Sequence, residues 1–216
     1  MYTKSQADIE LEELINKKEK ELRKTFSNNY KTQQATLDLF KKSMEQCDLN
    51  NFKENRALWN FASYINIVSY DLKLIGENLF LNKDEWSKRF FSRQSALVIY
   101  EAIEDIFELS GKEFRSILNN FSSSTQLSEE LKELTKAINA YKKEHIDQLK
   151  VIRHNCAAHR EQDCVEQLKI ITAINWSDSV GYLTKFDKIL MAYGAFMQRV
   201  INASLDESQE LQAAEK

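Results

Sequence analysis

The stretch VIRHNCAAHRE, residues 151–161, holds two of the chain's three histidines, one of its three cysteines and two arginines. Three chemistries compete for it. As a plain helix end, Arg153 and Arg160 favour the negative pole of the helix dipole and His159 is a capped end residue. As a metal clamp, His154, Cys156, His159 and Cys164 give the spacing H-x-C-x-x-H-x4-C. That spacing matches no familiar zinc pattern, and positions i and i+2 point to opposite sides of a helix, so no metal is expected. As an acid–base site, a histidine with a near-neutral pKa moves protons, while an arginine grips a phosphate and offsets charge in the transition state. Those residue types suffice to cleave RNA through its own 2′-hydroxyl, with no cofactor.

A helix must present these groups. Leu127, Leu131, Leu134, Ile138, Tyr141, His145, Leu149, Ile152, Cys156 and His159 follow one another by three or four residues. This is a sustained seam, and it predicts one long helix packed lengthwise against a neighbour, with Ser124 or Thr125 as its cap. On a regular helix the six positions from Arg153 to His159 turn through about 600°, leaving the two about 120° apart. They share a cleft only if the helix loosens between them, around Ala157 and Ala158.

The other elements follow from the same periodicity. Two charged helices are expected over 6–24 and 29–45, ending at the break Asp48-Leu49-Asn50-Asn51. Leu58, Phe61, Ile65, Val68, Leu72 and Ile75 mark a helix buried on most sides, widened by Trp59, Tyr64 and Tyr70. Asn82 or Asp84 can cap the next helix, which runs to Gly111. Its core face would hold Phe90, Leu97, Ile99, Tyr100, Ile103, Ile106 and Phe107. Arg93 on that face calls for an acid such as Glu101 or Glu104. A short segment over 114–121 precedes the motif helix, and a shorter helix over 162–176 follows it. Ser177 or Asp178 can cap a final long helix with Val180, Leu183, Phe186, Leu190, Tyr193, Met197 and Val200 inside. The domain reading is a charged helical extension over 1–50, a bundle over 51–205 and a polar, fraying tail over 206–216.

Composition supports an all-α fold. The chain has 216 residues with no proline and only four glycines, where average usage gives roughly 11 and 15. Sheets need turn punctuation that is missing here. A net charge of -3 supplies no bulk positive field for nucleic acid, so any such contact must be local. Three cysteines make no disulfide framework and fit a reducing compartment. With no leader-like or membrane-spanning run, the expected location is cytoplasmic, away from membranes.

The segment IRHNCAAHRE, late in a long helix of an all-α chain, resembles the HEPN superfamily, whose signature is an arginine, four to six residues, then a histidine. Here five residues separate Arg153 from His159, and the polar His154 follows the arginine. The flanks, with RQSALVIYEAIEDIFELSGKEF upstream, look most like the abortive-infection AbiU-like branch. The resemblance covers roughly residues 51–203. It implies a bundle of long antiparallel helices that dimerises to bring two Arg–His motifs into one composite cleft. It further implies a metal-independent endoribonuclease or toxin-like effector of phage defence or a toxin–antitoxin system, with RNA as substrate and an antitoxin or other protein as partner. His159 would then transfer protons, Arg153 would hold the scissile phosphate and His154 would support the site. Asn155 and Arg160 are substrate-binding candidates, Asn155 standing off the family's usual polar position. Relatives that have lost catalysis imply the alternative of a non-catalytic interaction or scaffold module.

Overall fold

The computed structural model describes residues 4–154 and 163–214. Among them lie seven helices and no strand: α1 (Gln6–Leu49), α2 (Lys53–Leu81), α3 (Glu85–Leu109), α4 (Lys112–Leu118), α5 (Ser124–Ile152), α6 (Cys164–Ala173) and α7 (Trp176–Ala214). The all-α expectation is met, and the long helices pack side by side with antiparallel neighbours. None of the described helices is long and apolar enough to cross a membrane.

The first 49 residues do not form two helices. Thr25, Ser27, Asn28 and Asn29 are weak helix formers, yet α1 runs straight through them. Tertiary contacts override the local preference there. Phe26 is buried and meets the Phe80 ring at 6.1 Å, and the Tyr30 hydroxyl donates to Glu77 Oε2 at 2.5 Å. Farther along, Phe40 packs on Trp59. α1 thus lies antiparallel along α2 for most of its length. It ends where expected, with Asn51 in the left-handed region at φ 57°, which asparagine tolerates better than most residues.

The stripes on α2 and α7 form the core as the spacing predicts: Leu58, Phe61, Ile65, Val68, Leu72 and Ile75 are buried, as are Phe186, Leu190, Tyr193, Met197 and Val200. Burying each large side chain contributes about 1.5–3 kcal/mol. On α3, Ile99, Ile103 and Ile106 are buried, but Phe90 is 42% exposed and is not a core residue. Asp84 caps α3, its carboxylate accepting from Ser87 N–H at 2.7 Å. Gly111 follows the helix because a Cβ there would sit 2.8 Å from the Glu108 carbonyl oxygen.

Two caps differ from expectation. Neither Ser124 nor Thr125 caps α5, because the helix already begins at Ser124, and the preceding Ser123 makes no side-chain cap bond. Its backbone, at φ -89° and ψ 16°, lacks the extended geometry that swings a hydroxyl onto the first N–H groups. Neither Ser177 nor Asp178 caps α7, because that helix starts at Trp176. Asp8 of α1, fully buried, accepts the Ser177 N–H at 3.0 Å instead. α7 also continues to Ala214, through most of the stretch expected as a polar tail.

The ends of α1, α3 and α7 meet around Lys88. Its side chain is 1% exposed, lies 3.2 Å from Glu12 Oε1 and sits 4.0 Å above the centre of the Trp176 ring. Lys4 reaches the same Glu12 at 2.5 Å and Glu85 at 3.1 Å. The Lys4 ammonium above all, with Lys88 adding to it, holds Glu12 below the usual glutamate value against the opposing effect of burial.

Candidate functional site

The seam of α5 fixes which way the motif segment emerges. Leu127, Leu131, Ile138, Tyr141, His145 and Leu149 are buried, and Leu134 and Ile152 are partly so, as the spacing predicts. α5 closes at Ile152, and the backbone widens into a π-type turn at Arg153 and His154. Regular α-helix therefore gives way at Arg153. Asn155, Cys156, Ala157, Ala158, His159 and Arg160 lie outside the described residues.

Arg153 turns away from the α5–α7 seam, towards α3. Glu101 Oε1 accepts from its Nε at 2.6 Å and lies 2.5 Å from its Nη2. The guanidinium carbon sits over the Tyr100 ring, 4.7 Å from its centre, within reach of a cation–π attraction. The ring of His154 meets the same Tyr100 edge-on, with centroids 6.3 Å apart. Two adjacent motif residues thus gather around one aromatic ring. Both contacts to Glu101 use the Nε side of the guanidinium, and Nη1 has no partner among the described residues. The Arg153 side chain is 18% exposed and that of Glu101 is 45% exposed, so solvent reaches the pair.

This arrangement corrects one expectation. Neither Glu101 nor Glu104 pairs with Arg93: Glu101 holds Arg153, and Glu104 holds Lys142 at 2.6 Å. Arg93 is buried. Its Nε donates to the Arg89 carbonyl, and its guanidinium lies 5.6 Å and 5.9 Å from the ring centres of Phe90 and Trp86. The partner of Glu101 is thus an arginine 52 positions along the chain, on another helix.

The remaining histidine is a core residue. His145 is buried between Tyr141 and Tyr182, at ring distances of 4.7 Å and 5.0 Å. Burial pushes its pKa below the usual 6.5, Lys185 acts in the same direction, and Glu144 opposes them. Beside it, α5, α6 and α7 enclose a groove of about 340 Å³ floored by Ile152, Ile170 and Ile174 and edged by Gln148 and Asn175. The groove opens on the α6–α7 side of α5, whereas Arg153 faces α3, so the two do not form one site. The short helix α6 is narrower than expected, and Asp163 caps it by accepting from Val165 N–H at 2.8 Å. Among the described residues, no group of three or more histidines, cysteines and acids is placed to hold a metal ion.

No protein-family model matches the chain, and neither the curated proteins nor the solved structures yield a match.

Proposed function

We propose that the chain is a HEPN-like, metal-independent endoribonuclease or toxin-like effector of phage defence or a toxin–antitoxin system. Arg153 and His159 of two copies would line one composite cleft. The observation that carries this reading is the state of Arg153. A guanidinium at the end of a long bundle helix is clamped by a carboxylate and an aromatic face, and among the described residues its outer edge meets no partner. An arginine held this way is ready to take two non-bridging oxygens of a phosphodiester. In the reaction the RNA 2′-oxygen bonds to phosphorus and the P–O5′ bond breaks. His159 handles the proton lost by the 2′-hydroxyl and the proton gained by the 5′-oxygen. The products are a 2′,3′-cyclic phosphate and a 5′-hydroxyl. His154 supports the site through Tyr100, and Asn155 and Arg160 are substrate contacts. An antitoxin is the protein partner this reading calls for.

Purified protein with RNA and a chelator is expected to give 2′,3′-cyclic phosphate ends, and His159→Ala and Arg153→Ala are expected to abolish them. Wild-type protein that leaves every RNA pool intact, with or without divalent ions, overturns the reading. The same Glu101 pair favours a second reading, a non-catalytic helical interaction module, because it already gives Arg153 a structural partner. In that case Arg153→Ala lowers stability and no RNA is cut.

A further inference from the structure

The geometry points to Glu101 as the positioning residue for Arg153, fixing the guanidinium so that its outer edge, Nη1 with the far hydrogen of Nη2, meets the scissile phosphate. This inference rests on the ribonuclease reading and names a residue that the Arg–His motif does not contain. Glu101 lies 52 positions before Arg153, on another helix.

An arginine side chain is long, and its guanidinium can swing over several ångströms unless something holds it. Here two contacts restrain it. Glu101 grips the Nε side of the group, and the Tyr100 ring lies 4.7 Å from the guanidinium carbon. Among the described residues this leaves Nη1 and the far hydrogen of Nη2 as the edge that a phosphate meets. His154, packed on the same ring, ties this alignment to the turn that leads into the rest of the motif. The Glu101 charge adds nothing to phosphate affinity; close to an anion it works against binding. Its benefit therefore falls on orientation, which acts on turnover rather than on substrate capture.

The test uses the full chain and three variants, Glu101→Ala, Glu101→Gln and Glu104→Ala. Glu101 is half-exposed, so truncating it opens no core cavity. With an RNA that the wild type cuts, Glu101→Ala is expected to lower kcat about 10- to 100-fold, in line with other outer-shell losses. KM should stay within about threefold and the melting temperature should not move, because other contacts hold the RNA. Glu101→Gln keeps an oxygen acceptor for Nε–H and should recover most of that loss. Glu104→Ala removes an exposed partner of Lys142 one turn along α3 and should cut at the wild-type rate. The Arg153 Nε proton, followed by nitrogen-15 NMR without RNA, should exchange faster with solvent in Glu101→Ala than in the wild type. An unchanged or increased kcat in Glu101→Ala beside an active wild type overturns this inference alone. So does a kcat loss that tracks a fall in melting temperature and is not recovered by glutamine. A wild type that cuts no RNA overturns the ribonuclease reading, and the phosphate-aligning role with it.

Discussion

Two places in the molecule assemble the same three partners: a cation, a carboxylate and an aromatic face. At one end of the bundle Lys88 has Glu12 and Trp176; at the end of α5 Arg153 has Glu101 and Tyr100. The contact distances are similar, but the surroundings are not. The Lys88 side chain is 1% exposed and that of Arg153 is 18% exposed. A buried cation is tied to its partners because leaving them strands a charge in low dielectric. A cation within reach of water can exchange one partner for another at little cost. The first assembly joins three helices, and the second is open to solvent. What separates scaffold from candidate site is access to solvent, not the identity of the groups.

The strongest way to break this contrast is at Lys88. Lys88→Ala is expected to cost about 3 kcal/mol in chemical denaturation, the lower end for breaking a buried pair, because Glu12 keeps Lys4. A loss below about 1 kcal/mol would remove the distinction. Arg153→Ala should cost no more than about 1 kcal/mol, as for a solvent-screened pair, while abolishing RNA cleavage. A larger loss would move Arg153 into the scaffold and favour the interaction-module reading.

The smallest effect concerns His145, an intermediate case with an aromatic box, Lys185 and Glu144 around it. Its folded pKa lies below 6.5, so the unfolded chain takes up the proton first as pH falls. The stability contributed by neutral His145 is complete above about pH 6.5 and drains away as pH falls through the folded value. Urea midpoints measured at intervals below pH 6.5 should decline, and His145→Phe, which keeps an aromatic ring in the box, should flatten that decline. Identical pH slopes in the two proteins would show that another group carries it.

The contrast also explains what could be read from the residues in order. Helical class, the stripes of α2 and α7 and the seam of α5 depend on spacing within one element, and spacing is visible in a sequence. The continuity of α1 is not visible, because Phe26 and Tyr30 reach across to Phe80 and Glu77 to hold weak helix formers in place. Arg153 and His154 stood out by residue type, and the structure places both against Tyr100. Their clamp did not stand out, since nothing in the local spacing of α5 points to an acid on α3. The same blindness hid the buried roles of Lys88 and Asp8, which look like ordinary surface charges on helices rich in them.

The bond from Ser177 to Asp8 spans 169 positions and joins the beginning of one helix to the beginning of another far along the chain. The first N–H groups of any helix have no acceptor within it, and here α1 supplies one to α7. A contact across so long a stretch of chain is held against the entropy of closing the loop between its ends. The first two turns of α1 therefore act as a remote cap, and a cut or a bound antibody at residues 4–12 is expected to be felt where α7 begins.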